Sequence, residues 1–164
     1  MKSENLRDTI LELVFQYAEK STTQNFQGGI TPIPPSGKLL GGKELVNMTE
    51  AVLDGWLTAG RFNEEFETRL AQYLDVKEVI TTNSGSSANL LMVAALFYRK
   101  ECPLKKGDEV IVPAVSWGTS YFPLHQYGLK LRFVDIDIKT LNYDLDQLKE
   151  AITSKTKVIF TVNL

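Results

Sequence analysis

From residue 77 onward the chain alternates short β-rich runs with apolar helical ones, and this alternation constrains the fold more than any other feature of the sequence. Strands are expected at residues 78–82, 109–113, 130–136 and 157–164. The intervening helices are expected at 86–98, 118–127 and 144–152, the last capped by Asp144. Strands separated by helices cannot pair as hairpins. They are joined by crossovers, lie parallel, and need helices to cover the faces of their sheet. The expected fold is therefore a layered α/β arrangement. Its final run, residues 158–164, is uncharged and has no covering helix after it, so the chain reads as truncated within a sheet.

The first 76 residues follow a different pattern. Leu6, Ile10, Leu13, Val14 and Tyr17 recur at helical spacing and predict a helix over 4–19. Residues 21–42 are rich in Ser, Thr, Gly and Pro, with Pro32, Pro34 and Pro35 close together, which excludes helix and central strand. A second helix is expected from Lys43, with Leu45, Met48, Val52, Leu53 and Trp56 on one side, then an exit loop over 56–62. Phe66, Leu70, Tyr73 and Leu74 mark a third helix. Trp56 and Leu57 are expected in helix core. This reading divides the chain into an N-terminal helix and arm, 1–42, and an incomplete larger domain, 43–164.

Composition excludes several classes. Hydrophobic residues are 43% and charged residues 23% of the 164, with a net charge of -2 and no basic patch interleaved with aromatics, so no nucleic-acid partner is expected. No apolar run reaches membrane-spanning length, and the N-terminus enters an acidic amphipathic helix rather than a signal peptide. A cytoplasmic location and no membrane partner are expected. The single cysteine, Cys102, allows neither an internal disulfide nor a cysteine metal cluster, and no metal site is expected.

The sharpest chemical signal is Thr82-Asn83-Ser84-Gly85-Ser86-Ser87-Ala88-Asn89, placed between a strand and an apolar helix. A helix start leaves its first N–H groups unpaired and carries partial positive charge. Gly85 permits close approach of an anion, and the Ser86 and Ser87 hydroxyls add donors. The same residues also suit simple capping, by Ser84 or Ser86. The loop is neither a Walker loop nor the spaced dinucleotide glycine pattern. Asp135 and Asp137 are expected to cap or solvate a turn rather than to act as a carboxylate pair.

In Asn83–Leu91, in Gly107-Asp108-Glu109-Val110-Ile111-Val112-Pro113-Ala114-Val115-Ser116-Trp117 and in Phe133-Val134-Asp135-Ile136-Asp137, the chain resembles the fold-type I, pyridoxal-phosphate-dependent sugar aminotransferase and dehydratase family. Within that family it is most similar to the 3-dehydratases of nucleotide-linked 4-keto-6-deoxyhexoses. The resemblance implies the following. The fold is an incomplete type I transferase large domain, a mostly parallel sheet with flanking helices, preceded by N-terminal helices. Gly85, Ser86 and Ser87 hold the phosphate of pyridoxal or pyridoxamine 5'-phosphate. Trp117 stacks on the pyridine ring, its alternative being a core aromatic at a strand end. Gly60, Arg61 and Phe62 lie near the sugar. The substrate is a GDP- or CDP-linked keto-deoxy sugar of lipopolysaccharide O-antigen synthesis, and the partner is a second copy or a complementary C-terminal half. None of the present residues matches the family's acidic partner of the pyridine nitrogen, its cofactor-linking Lys, or the His that replaces that Lys in 3-dehydratases. The one histidine, His125, is expected to be a polar surface residue. The catalytic groups are expected beyond Leu164 and the isolated chain is expected to be inactive. Transamination of the same sugars, and a noncatalytic remnant of a split gene, are the alternatives.

Overall fold

A computed structural model describes residues 3–21, 26–34, 36–37 and 39–162. Pro35 of the proline cluster and the last two residues of the expected final strand lie outside them. The chain forms two compact units, Met1–Ile80 and Thr81–Leu164.

Among the described residues the first unit holds three helices: α1 (Ser3–Ser21), α2 (Gly42–Leu53) and α3 (Arg61–Leu74). The sequence reading divides the chain after residue 42, whereas the units divide at Ile80/Thr81, because α1 packs on α2. At their contact Gly42 is buried, and a Cβ there would meet the Phe15 ring at 2.5 Å. Glu44 reaches back to accept the Gly41 N–H at 2.8 Å, fixing the start of α2. The helix stops at Leu53, before Trp56, because Gly55 takes a left-handed φ of 65°. Trp56 and Leu57 are consequently exposed loop residues, not helix core. The Trp56 indole N–H donates to the Ala59 carbonyl at 2.8 Å and closes the loop that leads into α3. The α3 period runs as expected, yet Phe66, Tyr73 and Leu74 stay exposed. An apolar stripe is buried only where something packs on it.

The second unit contains α4 (Gly85–Tyr98), β1 (Glu109–Pro113), α5 (Gly118–Gln126), β2 (Lys130–Val134), α6 (Leu145–Ala151) and β3 (Thr156–Ile159). The strands form a sheet of order β2-β1-β3, and β1 is parallel to both neighbours, with Val112 opposite Phe133 and Val110 opposite Val158. This is the α/β arrangement that the alternation requires. Strand β1 is central, so its side chains are enclosed on both faces, and Val110, Ile111 and Val112 are fully buried. Each contributes about 2 kcal/mol of apolar burial. Alternation sends Val110 and Val112 to a core with Val93 of α4 and Leu124 of α5. Ile111 goes to the opposite core, with Tyr143 and with Ala151 of α6. Asp144 caps α6, accepting from Asp146 N and Gln147 N at 3.0 Å each.

Three expected strands differ, the strand expected at 130–136 ending at Val134, where its ladder to β1 ends. Residues 78–82 form no strand, for no neighbouring strand among the described residues pairs with them, and Ile80 is 72% exposed. β3 is shorter than its apolar run because the ladder to β1 ends at Ile111–Ile159, after which Phe160 N donates once more to Ile111 O at 2.9 Å. Asp137 takes the turn role expected of it, its Oδ1 accepting from Lys139 N at 2.7 Å and Thr140 N at 3.1 Å.

Candidate functional site

The first turn of α4 settles which serine caps. Ser84 is the N-cap, and its Oγ accepts the Ser87 N–H at 3.2 Å while lying 3.2 Å from Ser87 Oγ. Thr82 Oγ1 donates to Ser84 O at 2.9 Å and braces the loop. Capping thus consumes one N–H and leaves those of Gly85 and Ser86 without an acceptor among the described residues. Both residues are exposed. A Cβ on Gly85 would meet nothing within 4 Å, so packing within this unit does not require glycine there. What remains is an open pair of donors at the positive end of a 14-residue helix.

Trp117 follows β1 by four residues and is the N-cap of α5. Trp117 is 77% exposed, so no described residue encloses it. The segment beneath it is firmly held. Ser116 Oγ donates to Ser120 Oγ at 3.0 Å, and Tyr121 Oη donates to the Pro113 carbonyl at 2.7 Å while its ring packs edge-on against Phe133 at 5.4 Å. Burial pushes the Tyr121 hydroxyl above its ordinary value, so it stays a neutral donor. Trp117 therefore stands at the carboxyl end of the central strand, where the order β2-β1-β3 reverses direction. Open α/β sheets bind ligands at such points. Asn89, one turn into α4, donates to the Thr119 carbonyl in the first turn of α5 at 3.3 Å, which ties the two helices together at this end of the sheet.

Gly60, Arg61 and Phe62 open α3 in the other unit. Gly60 is its N-cap, accepting from Asn63 N and Glu64 N. The Arg61 guanidinium lies 4.1 Å from the centroid of the Phe62 ring, but its charge is already engaged. Its Nε donates to Asp54 at 2.9 Å and its Nη2 lies 3.4 Å from Glu50. Arg7 shares both acids, reaching Asp54 at 2.6 Å. The hydrogen bond from Arg61, then that from Arg7, holds the Asp54 carboxyl below its usual range. Sequence reasoning missed Asp54 as the partner of Arg61, since their seven-residue spacing spans a loop and has no helical signature. Asn89 was also without a role, although Pro123 inside α5 is a signal that one carbonyl of that helix needs an outside donor. His125 is exposed, and no cluster of three metal-ligating side chains occurs among the described residues. No helix among them is long and apolar enough to cross a membrane.

Residues 40–164 match the DegT/DnrJ/EryC1/StrS aminotransferase family. The chain belongs to this family. It is 49% identical over 97% of its length to the lipopolysaccharide biosynthesis protein RfbH of Salmonella typhimurium, covering 37% of that protein. It is 56% identical over 70% of its length to the GDP-4-keto-6-deoxy-D-mannose 3-dehydratase of Escherichia coli O55:H7, covering 30% of it. The structure of an E. coli enzyme of that name, with hydrated PLP bound, superposes with a TM-score of 0.68 at 55% identity, over 72% of this chain and 31% of that one. The chain thus spans about a third of the length of these relatives. Its parallel sheet with flanking helices is part of the fold of these PLP-dependent enzymes.

Proposed function

We propose that the chain supplies the cofactor-phosphate cradle and ring-stacking face of an enzyme that uses pyridoxal or pyridoxamine 5'-phosphate. That enzyme removes the 3-hydroxyl of a GDP- or CDP-linked 4-keto-6-deoxyhexose in lipopolysaccharide O-antigen synthesis. The observation that carries this reading is the 56% identity to a 3-dehydratase of a GDP-linked 4-keto-6-deoxy sugar. The residues present fit the cofactor. Gly85 N–H, Ser86 N–H and the Ser86 and Ser87 hydroxyls would hold the phosphate, and the exposed Trp117 face would cover the flat heterocycle and exclude water from it. Bound there, the cofactor supplies an electron sink for cleaving a carbon–oxygen bond beside a ketone. Gly60, Arg61 and Phe62 would lie near the sugar. With the Arg61 charge spent on Asp54 and Glu50, that contact falls to the loop backbone and the Phe62 ring.

None of residues 1–164 matches the family's proton-moving Lys or His. The chain alone would bind cofactor without turnover, and would act as a homodimer or with a complementary C-terminal half. A chimera tests the reading: residues 1–164 replace the matching segment of the E. coli 3-dehydratase. Conversion of GDP-4-keto-6-deoxymannose to its 3-deoxy product, followed by mass spectrometry and lost on Trp117→Ala, is the expected result. A folded, cofactor-loaded chimera without turnover of the GDP- or the CDP-linked sugar overturns it. Transamination of the same sugars draws on every motif described here. A His or a Lys encoded at the base position downstream in the gene separates the two reactions.

A further inference from the structure

Asn89 makes a bond that the roles assigned so far do not use. It follows Gly85 by four residues and Ser86 by three, and so lies one turn along α4 on the face of the cradle. Its Nδ2 donates to the Thr119 carbonyl at 3.3 Å, thirty positions away in sequence. Pro123 makes that carbonyl available. In an α-helix the Thr119 oxygen would accept the N–H of residue 123, and proline has none. Thr119 stands only two residues after Trp117, in the first turn of α5. One side chain therefore ties the phosphate end of α4 to the turn that carries the stacking ring.

We propose that Asn89 is a positioning residue that sets the distance and tilt of the Trp117 ring relative to the Gly85–Ser87 cradle, so that a single phosphorylated flat heterocycle meets both. This rests on the cofactor reading above. It makes the tie specific to ligands that need ring and cradle together, because inorganic phosphate engages the cradle alone. A purely structural role, that of satisfying Thr119 O, makes no such distinction.

The test uses the whole 164-residue chain in a Trp56→Phe background, where Trp117 is the sole indole. Pyridoxal 5'-phosphate binding is followed by quenching of Trp117 emission, and inorganic phosphate binding by calorimetry. Asn89→Ala is expected to weaken pyridoxal 5'-phosphate about 10-fold through lost preorganisation while leaving phosphate affinity within about twofold. The double variant Asn89→Ala/Pro123→Ala restores an N–H for Thr119 O within α5. It is expected to recover the thermal midpoint but not the affinity for pyridoxal 5'-phosphate. Should Asn89→Ala alone not fold, this double variant, compared with Pro123→Ala, gives the same comparison. Equal loss of both ligands, no loss of either, or recovery of affinity in the double variant overturns the positioning role and leaves the cofactor reading standing. A parent chain that binds phosphate but shows no Trp117 quenching with pyridoxal 5'-phosphate overturns the cofactor reading itself.

Discussion

The Tyr143 hydroxyl donates to the Phe160 carbonyl at 2.6 Å and lies 3.3 Å from the Ile111 carbonyl, closing the buried junction of β1 with the segment that follows β3. Phe160 N donates to the same Ile111 oxygen at 2.9 Å, so one phenol completes the hydrogen bonding where the ladder ends. Tyr143→Phe keeps the ring in its core but strips a buried carbonyl of its donor. Urea unfolding should show a loss of about 1–3 kcal/mol.

The same phenol predicts an alkaline limit. Burial, with a smaller contribution from Tyr121, pushes the Tyr143 hydroxyl above its ordinary 10.0. The folded state then keeps a proton that the unfolded chain releases. The associated stability is fully present below pH 10 and is lost as pH rises toward the folded value. Thermal midpoints measured upward from pH 9 should fall in the parent chain, and the fall should be shallower in Tyr143→Phe.

Trp117→Ala should separate binding from folding. The ring is 77% exposed, so its removal should shift the unfolding midpoint little, within about 0.5 kcal/mol. Affinity for pyridoxal 5'-phosphate should drop at least about tenfold, and a Trp117→Phe variant should recover part of it, since a smaller ring still offers a π face. Equilibrium dialysis beside circular dichroism checks both halves of this expectation.

Gly42→Ala should disturb the first unit alone. The added methyl would stand 2.5 Å from Phe15 Cδ2, and relief requires the ring to turn or α1 to shift. A destabilisation of about 1–3 kcal/mol is expected, with Phe15→Leu in the same chain restoring part of it. Hydrogen exchange should localise the change to α1 and α2 and leave the amides of β1 protected.

Ile159→Lys tests the sheet edge. Among the described residues β3 pairs with β1 on one side only, and Ile159 is 41% exposed. Past Lys157 the strand is apolar and uncharged; such an edge templates pairing with another chain, and a lysine there opposes it. Sedimentation should show concentration-dependent association of the parent chain and less in the variant, with near-unchanged far-ultraviolet dichroism.

Sequence alone determined those elements whose signal is carried by consecutive residues. Strand β1 falls on the expected residues 109–113 because its β-branched run Val110-Ile111-Val112 suits only a strand enclosed on both faces. Helix α6 begins where Asp144 can cap it, and the α4 loop announced a helix start by its serines and glycine. Tertiary structure decided whatever depends on a neighbour distant in sequence. Residues 78–82 have strand composition, but a strand is a property of a pair, and no described strand lies beside them. Trp117 as enclosed or exposed, the Arg61 charge as free or spent on Asp54, and the Thr119 carbonyl as orphan or bonded to Asn89 were equally undetermined. Periodicity and capping are local free energies, written into adjacent side chains. Burial, charge pairing and carbonyl satisfaction are set by which groups the folded chain brings within about 4 Å, and only the completed packing specifies that.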